Sequence, residues 1–363
     1  MRPIPVSVAG GAGVEQTLAA NVADWSRWRI RQRVLVDVAG VSTRTRLLDE
    51  EIALPVVLAP VGLAGLMAPR GEAAAARAAQ AVGVPFTLST VGICGVAEVR
   101  AASGVPPWFQ LYMLRDRGLV AALLEQVWAA GCRTLVFTID LPMPGPRHRD
   151  ARHGLGLSGW RPKLLKLAAL LARPGWIWRV GVRGKPHAFG NLDQRVPEAR
   201  DLDAFRRWVD TQFDPSVTWA DIDWLRARWP GRLLLKGLLD ADDVPAALGT
   251  GADALVVSNH GGRQLDGAPS TARALPALAA AVDRRCALLV DGGIRSGVDV
   301  FRAVALGADA VLIGRPWVWA LAAAGAPGVA RLLHTWQEEL RVTLALAGVT
   351  RVADLGPHHL QPD

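Results

Sequence analysis

The chain has 363 residues, 51% of them hydrophobic and 20% charged, a balance that fits a folded globular protein and excludes a disordered one. Its net charge of +8 at pH 7 suits anionic partners such as acidic substrates, phosphate groups or an anionic bilayer surface. No RNA- or DNA-binding signature accompanies that charge, so no nucleic-acid partner is expected. Cys94, Cys132 and Cys286 are widely spaced and form no metal-ligand pattern, which points to a reduced, cytoplasm-facing protein with buried thiols and no metal site. Met1-Arg2-Pro3-Ile4-Pro5 lacks the apolar core of a signal peptide. No apolar run reaches the roughly 18–20 residues that span a bilayer, which leaves peripheral contact as the expected membrane mode.

Residues 14–34 predict a helix, with Leu18, Val22 and Trp25 at helical spacing and a basic second half (Arg27, Arg29, Arg31, Arg33). A regular alternation follows. Short apolar strands are predicted at 54–60, 85–88, 108–111, 134–138, 233–236, 254–257, 287–290 and 310–313. Helices are predicted at 71–82, 96–101, 118–130, from 241, at 271–282 and at 296–306. Eight strands, nearly all followed by a helix, are the count of a (β/α)8 TIM barrel of the α/β class, read as one domain over residues 1–363. An open doubly wound sheet is the second possibility, but no Gly-x-Gly-x-x-Gly follows the first strand.

A long insert after the fourth strand, about residues 142–220, exceeds a plain loop. It contains the leucine-rich run 160–173, which begins at Trp160 with Arg161, Lys163 and Lys166 and is followed by Trp176 and Trp178. Leucines, tryptophans and flanking cations suit a segment lying in a membrane interface. A helix packed on the barrel, or covering the site as a lid, is the alternative.

Polar residues collect just after the strands: Gln110 and Tyr112, Thr138 and Asp140, Lys236, His260, Asp291 and Arg315. In a barrel these share one rim, where active sites are built. Ser258-Asn259-His260-Gly261-Gly262-Arg263-Gln264-Leu265-Asp266 follows the sixth strand and holds a histidine at its C-terminal mouth. Two glycines leave room there for something large and flat, and Arg263 is placed to clamp a carboxylate while His260 moves a proton. A lone strand-end histidine is usually structural; the clamp and the glycines beside it favour chemistry. The seventh strand runs into Asp291-Gly292-Gly293-Ile294-Arg295 and the eighth into Gly314-Arg315, a phosphate cradle of backbone N–H groups, helix N-termini and arginines. Lys236 would stabilise negative charge developing on a flavin ring, Asp140 would orient His260, and Tyr112, the only tyrosine, and Arg147 would hold a carboxylate.

From about Gly11 to Leu355 the chain resembles the FMN-dependent L-2-hydroxy acid dehydrogenase and oxidase family, most closely its bacterial respiratory L-lactate-oxidising members. The resemblance is carried by Leu58-Ala59-Pro60-Val61-Gly62-Leu63, Thr87-Leu88-Ser89-Thr90, Trp108-Phe109-Gln110-Leu111-Tyr112, the Ser258–Asp266 string and Asp291-Gly292-Gly293-Ile294-Arg295. It implies His260 as the active-site base paired with Asp140, and Arg263, Arg147 and Tyr112 as substrate-binding residues. It implies FMN contacts from Pro60, Val61, Gly62, Ser89, Gln110, Thr138, Lys236, Ser258, Asp291, Gly292, Gly293, Arg295, Gly314 and Arg315. Gly62 resembles the dehydrogenase branch, where oxidases more often carry alanine. The implied reaction is oxidation of a 2-hydroxy acid, L-lactate to pyruvate, by a homotetramer passing electrons to a quinone or cytochrome; an oxygen-using oxidase, a relative acting on a bulkier hydroxy acid or a modified peptide, and a non-catalytic flavoprotein are the alternatives. The insert is similar to the segment that docks membrane-bound members on the cytoplasmic face of the inner membrane. The family usually places a substrate-binding tyrosine where this chain has Ser7, a departure that implies weaker binding, a bulkier acid, or a start further upstream.

Overall fold

In the computed structural model the residues described are 8–152, 171–184, 189–192, 196, 208 and 211–363. Eight strands pair in parallel: β1 (Val56–Leu58), β2 (Thr87–Ser89), β3 (Trp108–Leu111), β4 (Thr134–Thr138), β5 (Arg232–Leu238), β6 (Ala254–Val257), β7 (Ala287–Val290) and β8 (Ala310–Ile313). Each pairs with its neighbour in sequence, and β8 returns to β1. A parallel bridge between Leu58 and Phe86, with the Leu58 N–H donating to the Pro85 carbonyl at 2.9 Å, closes β1 onto β2. The ring is a (β/α)8 barrel, as the alternation of strands and helices predicts.

The period-two alternation of strand side chains sorts each apolar run into two cores. Val57, Val136, Leu234, Ala254, Val256, Leu289, Ala310 and Leu312 form one buried cluster, the bore of the barrel. Their sequence neighbours Val56, Leu58, Leu135, Phe137, Leu233, Leu235, Leu255, Val257, Leu288, Val290, Val311 and Ile313 belong to the larger cluster shared with the helices. Leu47 and Ile52, from the hairpin Thr45–Leu47/Glu50–Ile52, plug the bore at its N-terminal end. Continued upward, the inward phase of Trp108, Val136, Leu234, Val256 and Leu289 next reaches Gln110, Thr138, Lys236, Ser258 and Asp291. The same alternation that fills the bore therefore aims these polar side chains into its C-terminal mouth.

Several predicted elements are corrected. The helix expected over 14–34 occupies only Gln16–Ala23, followed by a 3-10 turn and a strand, Trp28–Ile30, paired antiparallel with Leu360–Pro362. Arg27, Arg29, Arg31 and Arg33 recur every second residue, which is strand spacing, and all four are exposed. β5 runs on to Leu238, with a register shift between Lys236 and Leu238. A helix at Trp219–Arg226 precedes β5, and the last helix covers Arg315–Leu346 with a break at Ala324 and Gly325. The helix from Thr271 to Val282 lies as predicted, with the Ser270 side chain capping it.

Residues 160–170 of the insert's leucine-rich run lie outside the described residues, as does Ser7. Elsewhere the insert packs on the barrel: Phe189, Leu192 and Val196 are buried, and Trp176 Nε1 donates to the Leu66 carbonyl at 2.9 Å. Trp178 is 55% exposed. Among the described residues, no helix is long and apolar enough to cross a membrane.

Candidate active site

The loop after β6 is the most constrained stretch of the rim. His260, Gly261 and Gly262 take φ values of 57°, 65° and 71°, three left-handed residues in succession, and for the histidine that costs on the order of 1 kcal/mol. Local bonds hold the turn. Ser258 Oγ accepts the His260 N–H at 3.0 Å, Asn259 Oδ1 accepts the Gly262 N–H at 3.0 Å, and Arg315 Nη1 donates to the Gly261 carbonyl at 2.9 Å. His260 Nδ1 lies 2.8 Å from Asp140 Oδ1 at the end of β4. Burial pushes the Asp140 carboxyl upward, but the facing His260 and Lys236 outweigh it and hold it below the ordinary carboxylate range.

Gly237, which the sequence reading left unassigned, makes this approach possible. Its φ is 129°, and a Cβ there would lie 2.6 Å from Asp140 Cβ. The register shift in β5 is thus the accommodation of Asp140. Gly237→Ala is expected to displace Asp140 and lower turnover about tenfold or more while flavin remains bound; wild-type turnover in that variant would contradict this role.

Lys236 Nζ, 4% exposed, donates to Ser258 Oγ at 2.8 Å and pairs with Asp291 Oδ2 at 2.9 Å. Burial depresses this ammonium, yet Asp291 and Asp140 together hold it above its usual range. Across the mouth, Ser89 Oγ donates to Gln110 Oε1 at 3.0 Å and Gln110 Nε2 to Thr138 Oγ1 at 3.1 Å. A polar belt therefore spans β2, β3 and β4, facing the Lys236–Ser258–Asp291 group of β5, β6 and β7.

Four arginines line the same rim. Burial, then the nearby Arg147 and Arg315, depress Arg263 to about 9; burial, then Arg295, bring Arg315 down to about 10. Cations crowded in a buried site are relieved by an anion, so the rim is built to receive one. Arg263 Nη1 donates to the Gly10 carbonyl at 2.9 Å. Arg315 spends Nε, Nη1 and Nη2 on the carbonyls of Val8, Gly261 and Gly10, leaving only the second hydrogen of each terminal nitrogen for a ligand. Arg295 lies over the Trp319 ring, 5.4 Å from its centroid.

The glycines have separate reasons. Gly292 and Gly293 are left-handed, at φ 91° and 83°, and a Cβ on Gly293 would land on the Asn21 carbonyl. A Cβ on Gly292 would instead lie 2.7 Å from Thr271 Oγ1, so the small size of Gly293 is set first by the helix Gln16–Ala23 and that of Gly292 by Thr271, while Trp25 Nε1 donates to the Gly292 carbonyl at 2.8 Å. A Cβ on Gly62 would lie 2.6 Å from Val91 Cγ2. At Gly314, by contrast, it would meet only Val61 and Ala59 at ordinary contact distance, so the protein's own packing does not demand glycine there.

Two further residues at the site escaped the sequence reading. Gln264 Nε2 donates to the carbonyls of Asp140 and Met143 at 3.0 Å each, and its Oε1 accepts the Gly145 N–H at 3.2 Å, tying the start of the insert to the His260 loop. Phe213, near the insert's end, meets the Tyr112 ring edge-on at 5.5 Å and forms a bridge with Leu114. Gln264 lay inside a quoted motif; Phe213 has no signal in sequence, because its partner is about a hundred residues away.

A family profile described as FMN-dependent dehydrogenase matches residues 4–362. The chain belongs to this family. An L-lactate dehydrogenase of Caulobacter sp. (strain K31) is 54% identical over 342 residues, 94% of this chain and 90% of that protein. An L-lactate dehydrogenase of Chromohalobacter salexigens is 50% identical over 351 residues, 97% and 89% of the two chains. Among solved structures, the monotopic membrane protein (S)-mandelate dehydrogenase aligns with a TM-score of 0.90 at 32% identity, covering 98% of this chain and 94% of that one. A mandelate oxidase with (S)-4-hydroxymandelic acid gives 0.83 at 39%, covering 98% and 93%.

FMN is the cofactor of this FMN-dependent dehydrogenase, and the residues of the rim fit it. Among the described residues Asp291 Oδ1 is a buried acceptor with no hydrogen-bond partner, suited to a polyol hydroxyl. Gly314 keeps the approach to Arg315 free of a side chain, and the amide and hydroxyl belt offers both donors and acceptors to a heteroaromatic ring edge.

Proposed function

We propose that the protein oxidises an L-2-hydroxy acid, L-lactate to pyruvate. The observation that carries this reading is the 2.8 Å His260 Nδ1–Asp140 Oδ1 pair on the same rim as the half-buried arginines. An ionised Asp140 accepts the Nδ1–H of His260, which fixes the tautomer and leaves Nε2 as the proton acceptor. Arg263 and Arg147, with the Tyr112 hydroxyl, bind the carboxylate and set the substrate carbon beside His260, which makes the encounter effectively unimolecular. Nε2 then takes a proton from the carbinol unit, either the hydroxyl proton in a hydride mechanism or the carbon-bound proton in a carbanion mechanism. FMN, when bound by Ser89, Gln110, Thr138, Lys236, Ser258, Asp291, Arg295, Arg315 and the backbone of Pro60 to Gly62 and of Gly292, Gly293 and Gly314, supplies the two-electron acceptor. Lys236 places fixed positive charge in the mouth, where it favours negative charge that develops there.

Residues 1–363 are read as one such domain, acting as a homotetramer that passes electrons to a quinone or cytochrome from a peripheral site on the cytoplasmic face of the inner membrane. The likeness to a monotopic membrane dehydrogenase and the exposed Trp178 support the membrane contact. The likeness to mandelate oxidase supports a second reading, oxidation of a bulkier acid with oxygen as acceptor. One experiment separates them. L-Lactate is expected to bleach the visible absorption of the purified holoenzyme anaerobically, faster than (S)-mandelate, and aerobic turnover is expected to release little peroxide. Bleaching by mandelate alone, or stoichiometric peroxide, supports the second reading; bleaching by neither acid refutes both.

A further inference from the structure

The stretch from Val8 to Asn21 grips the loop that carries His260 and Arg263, and the grip ends on one buried amide pair. The Ala12 N–H donates to the Gly262 carbonyl at 2.8 Å, and Asp266 Oδ1 and Oδ2 accept the N–H groups of Thr17 and Val14 at 2.9 Å, capping the helix Gln16–Ala23 from another part of the chain. A Cβ on Gly262 would lie 2.7 Å from the Leu18 nitrogen, so helix and loop touch backbone to backbone. At the centre, Asn21 Nδ2 donates to Asn259 Oδ1 at 2.8 Å, and Asn259 Nδ2 donates back to Asn21 Oδ1 at 2.8 Å. Both residues are buried, at 1% and 6% exposure. Asn259 Nδ2 also donates to the Pro269 carbonyl at 3.1 Å, its Oδ1 also accepts the Gly262 N–H, and Asn21 Oδ1 also accepts the Thr271 N–H at 3.3 Å.

We propose that Asn21 is a positioning residue for the reaction: through its reciprocal amide pair it fixes the Asn259 side chain, and through that the left-handed turn that presents His260. Asn259 Oδ1 stabilises the turn only while it points at the Gly262 N–H, an orientation that the Pro269 carbonyl, by accepting from Nδ2, also favours. Asn21 holds the same orientation from the other side, because its own oxygen is committed to the Thr271 and Asn259 donors and its own nitrogen must donate. The Gly262 N–H also reaches the Asn259 carbonyl at 3.1 Å, so the side-chain bond is one of two that close this third left-handed residue, and its loss loosens the turn that Asn259 begins and Arg263 follows. The helix Gln16–Ala23 thus sets the geometry of a site to which it contributes no reacting group.

This inference rests on the proposed role of His260, and its test includes a measurement independent of that role. In Asn21→Ala holoenzyme, hydrogen exchange at the Gly262 and His260 amides is expected to accelerate about tenfold or more, while the β4 amides stay protected. Anaerobic flavin reduction at saturating L-lactate is expected to slow about 10- to 100-fold, with flavin content unchanged and substrate affinity much less affected. Asn21→Asp keeps the acceptor but loses the donor and is expected to fall between the two. In a double-mutant cycle, Asn21→Ala combined with Asn259→Ala is expected to reduce flavin no more slowly than Asn259→Ala alone. Wild-type exchange at Gly262 and wild-type reduction in Asn21→Ala overturn the proposal, as do single effects that simply add. If Asn259→Ala does not fold, the exchange and rate series of Asn21→Asp and Asn21→Ala decides. Should His260 variants keep full turnover, the reaction assignment falls, while the exchange result at Gly262 still reports on the amide pair.

Discussion

His260→Asn holoenzyme is expected to stay yellow and to be reduced by L-lactate about 10³- to 10⁴-fold more slowly than wild type, the size of a lost general base. Asparagine is the informative replacement because residue 260 has a φ of 57°, which asparagine tolerates better than alanine, so the loop survives while the base is removed. Rapid-mixing anaerobic spectroscopy measures the rate, and substantial retained turnover would refute the assignment. The pH dependence follows from the partner. The folded Asp140 carboxyl lies below its unfolded value of about 3.9, so its contribution is fully present above that value and lost as pH falls through the lower folded one. At neutral pH Asp140 is therefore a fixed anion, and no loss of its contribution is expected between about pH 5 and 8.

Lys236→Met is expected to have the largest effect on stability. It removes the ammonium from the buried pair with Asp291 and leaves a carboxylate without its counter-charge at the barrel mouth, where breaking one side of such a pair costs about 3–5 kcal/mol. Ser258 Oγ, which accepts from Lys236, loses that donor as well. Chemical denaturation of the apoprotein reads this cost as a fall in midpoint. Lys236→Met combined with Asp291→Asn should recover much of it, because residue 291 then carries no charge and Asp140 keeps His260 as its partner. An unchanged midpoint in the single variant would mean that the pair is not buried as described. Flavin affinity gives a separate readout: it should fall in the single variant and stay low in the double one, since both groups are among those proposed to hold the cofactor.

Much of this was legible along the chain, for a local reason. An apolar run of four or five residues ending in a polar one states both that a strand is present and that its last inward residue faces the mouth, since the period is two. Gln110, Thr138, Lys236 and Asp291 stand out in the sequence as polar residues at the ends of such runs, without knowledge of any contact, whereas Ser258 follows from the family resemblance. The residues that were missed are those whose reason lies across the fold. Gly237 is glycine because of Asp140, and Phe213 matters through Tyr112; Gly293 stood in the expected phosphate cradle, but that Asn21 requires a glycine there could not be read. The helix misread over 14–34 fails on the same ground: Trp28–Ile30 extends because Leu360–Pro362 offers its backbone a partner more than three hundred residues away.

The sequence by itself determined the barrel, the family and the rim, because strand count, strand phase and the Ser258–Asp266 string are local patterns that need no partner to be read. Only the tertiary structure decided how the rim is held. The left-handed turn at His260 is stabilised by Asn21, Arg315 and Ser258, and the arginines are depressed by burial and then by one another, effects that depend on distance in space and leave no periodic trace along the chain.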